Sequence, residues 1–289
     1  MSGAFGSILQ CLTDAHVLLW QEFRPAWGAT LLAALVLPRL GLHASFRRHI
    51  LTTIALPQTA FAGMALVLAL PLLSAEADGE PSTALVFLGA ALGTLLGLVI
   101  AAQFRTEVVT RGVAAMIVAS LAITEIARSL SPFGETRLEP LLHGEVLGLS
   151  AERLGLLSTI LLPGLFALVA KRRWLFTASC PDAARAAGVS TRSAAFEFAG
   201  ALGFAVMLAT LTLGPLLTAS LLIIPAAWAR HAGNNVRGAL RESTAMALLS
   251  AWWGPVVSVI ADIPLGAGVV MVALVTGALT RALRRRIAR

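Results

Sequence analysis

Nine stretches of this chain are apolar over close to the length that crosses a bilayer: 26–42, 50–73, 83–103, 112–128, 151–170, 194–212, 214–230, 243–260 and 266–281. A spanning helix needs about 20 such residues, because once water is gone every backbone N–H and C=O must be satisfied within the segment. Only 13% of the 289 residues are charged and 57% are hydrophobic, with mean hydropathy +0.84. An ordinary soluble domain is excluded. The expected fold is an all-α polytopic membrane protein with about eight to nine transmembrane helices, some of them short enough to be tilted or broken.

Charge gives the expected orientation. Arg47, Arg48, Arg105, Arg111, Lys171, Arg172, Arg173, Arg185, Arg192, Arg230, Arg237 and Arg241 follow the odd-numbered spans, and Arg281, Arg284, Arg285, Arg286 and Arg289 close the chain. The opposite loops carry mainly acids: Glu76, Asp78, Glu80, Glu135, Glu139, Glu145 and Asp262. The positive-inside rule then puts the amino end outside and the carboxyl end in the cytoplasm. The net charge of +7 is this asymmetry, not a nucleic-acid surface. The expected layout is an interfacial segment at 1–25, one membrane domain at 26–281 and a basic cytoplasmic tail at 282–289. Phe5, Ile8, Leu9, Leu12 and Leu19 would share the apolar face of an amphipathic amino-terminal helix, and no removable signal peptide is read there. Cys11 and Cys180, the two cysteines, would lie on opposite sides of the membrane and form no intramolecular disulfide.

Within the spans, Gly89, Gly93 and Gly97 recur every four residues and predict a flat stripe for close helix packing. Leu213, Gly214 and Pro215 mark the junction of the sixth and seventh spans, with almost nothing between the two, which predicts a tight hairpin or one helix broken there. Pro225 removes a backbone bond inside the seventh. Residues 171–193, KRRWLFTASCPDAARAAGVSTRS, form the longest basic, polar island. Pro181 and Asp182 can open a short helix, four alanines favour it, and Gly188 can end it. Such a loop is either a solvated cytoplasmic connection or a grip for a cytosolic machine.

Four segments in order resemble the zinc and manganese ABC-importer permeases: LLHGEVL (141–147), CPDAARAAGV (180–189), GPLLTASLLIIPAAWAR (214–230) and ADIPLGAGVV (261–270). The resemblance runs from about residue 26 to 281. It implies the ABC-importer permease fold with a cytoplasmic coupling helix, in a bacterial inner membrane. It implies a homodimer within the membrane, two cytosolic ABC ATPase subunits and an extracytoplasmic substrate-binding protein. Pro181, Asp182, Ala183, Ala186 and Gly188 would form the segment that couples to the ATPase. No Walker A pattern is present, so ATP hydrolysis would belong to the partner. No cofactor is expected.

The chain departs from that family where the metal is usually held. The Asp and His of an early second-span motif fall on Ile54 and Gln58, and a further His on Met116. Ile54 cannot coordinate anything, and a neutral amide is a poor substitute for imidazole with zinc. Pro57 should free the Thr53 carbonyl. Thr53, Gln58 and Thr59 could then face a polar cavity, or Pro57 merely kinks the helix. Glu125 lies inside a span, where an acid is a functional suspect, although Arg128 can neutralise it. Glu197 would be solvated or paired with Arg192 or Arg172. His143, beside Glu145, could receive metal from a binding protein. His43, His49 and His231 read as interfacial, and Asp14 and His16 carry less. No GxSxG or HExxH pattern supports a hydrolase. Three functions remain open: a metal importer with displaced ligands, a same-fold permease for a non-metal solute, and a non-transporting membrane scaffold that docks the ATPase.

Overall fold

The computed structural model describes residues 24–47, 50–69, 83–103, 109–130, 155, 157–232 and 235–287. Among these, nine helices follow one another: α1 Arg24–Phe46, α2 Ile50–Ala69, α3 Thr83–Gln103, α4 Val109–Leu130, α5 Leu161–Ser179, α6 Pro181–Ala186, α7 Thr191–Ala232, α8 Val236–Ala261 and α9 Leu265–Ile287. Seven are long and apolar enough to cross a membrane. The amino-terminal segment, Cys11, His16, His49 and the LLHGEVL segment with His143 lie outside the described residues.

The seven include α7, which passes twice. Its helical stretch is 42 residues long and is interrupted at Gly214, with φ 78° and ψ 166°. Near one end the Ala194 carbonyl accepts from Arg47, just past α1. Near the other, the Leu222 carbonyl lies against Gly41 of α1, where an added Cβ would sit 1.8 Å from its oxygen. A straight helix would separate residues 194 and 222 by about 40 Å, whereas Gly41 and Arg47 are only about 9 Å apart along α1. The chain therefore doubles back at Gly214, a conformation that needs a residue without Cβ. This is the hairpin form of the sequence expectation.

The fifth run behaves differently from the reading of 151–170. Its helix begins at Leu161 and continues through the basic Lys171–Arg173 to Ser179. The cause is a buried face at helical spacing: Ala167, Ala170, Trp174 and Thr177 all point inward. The polar connection is thus Cys180–Ser190, shorter than 171–193. Likewise α9 extends to Ile287, so most of the basic tail is helix.

The interior is built from small residues and leucine. In α1, Ala29, Ala33, Ala34 and Ala44 are fully buried beside Leu37 and Leu40. This suits a bundle in lipid, where association rests on close contact rather than on expulsion of water. The glycine stripe of α3 does what its spacing predicts. A Cβ on Gly93 would lie 2.2 Å from the Thr59 carbonyl oxygen of α2, and one on Gly63 would lie 2.3 Å from that of Gly89. A second close crossing joins α8 and α9, where a Cβ on Gly254 would lie 2.4 Å from a Val269 methyl. Between them Asp262 turns the chain in the left-handed region, φ 53°. Leu95, Leu96, Val118, Leu162, Leu165 and Val169 face outward, as a lipid-bathed surface requires.

Candidate functional site

The short helix α6 stands at one end of the bundle. Cys180 precedes it, Pro181 occupies its first turn with Asp182 beside it, and Arg185 closes it. Pro suits that position because its missing N–H would be unsatisfied there anyway. Gly188 adopts φ 75°. Its N–H donates to the Arg185 carbonyl at 3.0 Å, and the Val189 N–H donates to the Ala184 carbonyl at 2.9 Å. That paired pattern is the Schellman stop, and Ala184 at its base is fully buried. Arg185 pairs with Asp182 across the outer face. Pro181, Asp182, Ala183 and Ala186 are all exposed. The result is a small, well-terminated knob with one buried anchor and an open outer surface.

Arg47 fastens the knob's two supporting helices to α1. One terminal nitrogen of Arg47 donates to Thr177 Oγ1 at 3.1 Å and to the carbonyls of Trp174 and Ala194 at 3.4 Å. Its guanidinium lies 5.0 Å from the Phe198 ring centre. Trp174, fully buried, meets His43, Phe166 and Phe198 edge-on at 5.3–5.7 Å. Arg173 and Ser193 both bond Glu197, at 2.7 and 2.9 Å. Glu197 is thus paired, with Arg173 rather than Arg192 or Arg172. Sequence reasoning used Arg47 only as a topological charge. No local pattern marks it, since its partners lie 127 to 147 residues away.

The residues proposed for a solute path are scattered. Thr53 is fully buried. Thr59 donates to the Leu56 carbonyl at 3.0 Å, and its backbone lies against Gly93. Thr59 and Met116 line one groove of about 490 Å³ between α2, α3 and α4, together with Ser120 and otherwise apolar side chains; Thr53 and Gln58 do not line it. Helical geometry explains the dispersal. At about 100° per residue, positions 53, 58 and 59 point in three well-separated directions. The helix runs on through Pro57 without ending. Glu125 pairs with Arg128 at 3.0 Å on an exposed face. Among the described residues, no three His, Cys, Asp or Glu side chains could jointly hold a metal ion.

The chain's relatives can be set beside this geometry. A family model described as the ABC 3 transport family matches residues 20–282. Against curated proteins the chain finds no match. Among solved structures it is similar to PsaBC from Streptococcus pneumoniae in complex with Fab, with TM-score 0.74 and 17% identity over 93% of this chain and 94% of that one. It is also similar to a metal-chelate type ABC transporter in an inward-facing conformation, with TM-score 0.67 and 16% identity over 96% and 97%. At these identities the likeness is one of fold, and it extends over nearly the whole of each chain. The family match covers most of the sequence, and the chain therefore belongs to the ABC 3 transport family, as a multi-pass membrane permease subunit of an ABC transporter.

Proposed function

We propose that this permease imports a divalent metal ion of the zinc or manganese class, driven by cytosolic ATPase subunits that grip α6. The amino end lies outside and the carboxyl end in the cytoplasm. A second copy of the chain completes the membrane unit, and an extracytoplasmic binding protein delivers the cargo. The observation that carries this reading is α6: a short helix, exposed on its outer face, opened by Pro181, stopped at Gly188 and tied through its flanking helices to Arg47. A solvated connection needs neither the C-terminal stop nor the tie. Metal as cargo is supported by the motifs that resemble those of zinc and manganese permeases and by the metal-chelate type ABC transporter among its structural relatives. The permease residues to examine for cargo contact are Thr53, Gln58, Thr59, Met116, Glu125 and His143.

The test is co-purification and turnover. Ala183→Arg combined with Ala186→Arg should abolish ATPase association while leaving the permease folded, because both side chains are exposed. Unchanged association would remove α6 from the coupling role. With the complex in vesicles, zinc or manganese should stimulate ATP hydrolysis severalfold; no stimulation by either would rule out the metal cargo.

One observation favours a second reading, a non-metal solute: the groove holding Thr59 and Met116 is almost wholly apolar, and Ile54 stands where a carboxylate is expected. On that reading Ile54→Asp with Gln58→His, one helical turn apart, should create a metal response that the native protein lacks.

A further inference from the structure

We propose that a cavity between α1, α5 and α8 is a binding site for one anionic phospholipid. The cavity measures about 520 Å³, and Arg39, Lys171, Arg237 and Arg241 line it with no carboxylate among its lining residues. Three separate helices supply these cations, so the cluster is a product of the fold rather than a run of like charges. Among the described residues the ion pairs are Arg128–Glu125, Arg173–Glu197 and Arg185–Asp182, and none of the four cations belongs to them. Arg39 is held in place, its Nε donating to Thr244 Oγ1 at 3.3 Å. His43, only 3% exposed, forms part of the floor. Cations that share a lining with no carboxylate in it repel one another, and an anion placed among them relieves that cost.

The same cavity has an apolar end. On α8, Arg241, Ala245 and Leu248 line it at i, i+4 and i+7, so one stripe passes from charge to hydrocarbon. On α5, Ala167 and Leu168 precede Lys171 in the same sense, and Leu168 is exposed. A small free anion would use only the basic end. A phosphodiester carrying acyl chains uses both, with its headgroup on the cations and its chains along Leu168 and Leu248. Basic pockets between helices at a membrane face bind anionic headgroups on this principle. The cavity lies at the α6 end of the bundle, since His43 meets Trp174 two turns before α6.

The test uses the full-length protein, delipidated in detergent, with phosphatidylglycerol, phosphatidylcholine or inorganic phosphate added. Lipid retention is read by native mass spectrometry and stability by the thermal midpoint. Phosphatidylglycerol should be retained at least about tenfold more strongly than phosphatidylcholine and should raise the midpoint. Arg237→Gln with Arg241→Gln should weaken that retention about thirtyfold, from roughly 1 kcal/mol per cation. Arg111→Gln with Arg286→Gln removes equal charge elsewhere and should leave retention unchanged. Equal loss in both double variants would reduce the effect to overall charge and overturn the site. Equal stabilisation by inorganic phosphate would make it a free-anion site, and equal retention of phosphatidylcholine would make it a nonspecific apolar groove. Either result overturns the proposal. If the first double variant does not fold in phosphatidylcholine, Lys171→Gln alone is judged by the same readouts, with about fivefold weakening expected and none decisive against the site.

Discussion

At the scale of single residues, Arg47 does most with least. It is half-buried, yet it reaches Thr177, the Trp174 and Ala194 carbonyls and the Phe198 ring. Arg47→Ala would strip a charged donor from α5 and α7 together. The expected loss is about 2 kcal/mol of stability, read as a lower thermal midpoint, with weaker coupling of ATP hydrolysis to transport in the reconstituted complex. Arg47→Lys should recover only part of it, because an ammonium cannot both stack on Phe198 and reach partners on two helices. A midpoint unchanged by the alanine would mean that the contacts are incidental. The sequence could not disclose this role: the partners come from helices far along the chain, and the surrounding arginines look identical to a charge count. Glu125 shows the converse. Its pairing with Arg128 three residues on was legible because the interaction is local.

At the scale of elements, legibility again follows range. The start and stop of α6 rest on Pro181 and Gly188 acting within their own turn, so the residues announce the helix before any fold is known. Gly188→Ala tests that logic. A Cβ at φ 75° should cost about 1 kcal/mol locally. Amide exchange across 181–189 should quicken while the global midpoint barely moves, since Gly188 has open space around it. Exchange unaltered there would mean that the cap is not what ends the helix. The extent of α5 was less visible. Three consecutive basic residues signal the end of an apolar span, and the buried Trp174 that carries the helix past them depends on Phe166, Phe198 and His43. The candidate path residues on α2 stand close in sequence, but the helix turns the side chains of Thr53, Gln58 and Thr59 about 100° or more apart, a separation that only the helical geometry reveals.

At the scale of the whole molecule, the number of passes depends on one glycine. The hairpin at Gly214 predicts that spin labels at Ser193 and Trp228 lie within half the distance of about 50 Å that a straight helix would give. A distance near the straight value would refute the reversal and with it the placement of α7 against α1. The spans themselves were legible because bilayer thickness imposes a length on every run. Which faces meet was not, apart from the glycine stripe of α3, since small residues line both interior and connecting surfaces.

That stripe limits how the molecule can move. Where Gly63, Gly89 and Gly93 meet, backbone touches backbone with no side chain between them to change rotamer. Contact this close leaves neither helix room to move toward the other, which predicts that α2 and α3 travel together as one beam. Any rocking that opens one side of the membrane to the other is left to the joints beyond that beam.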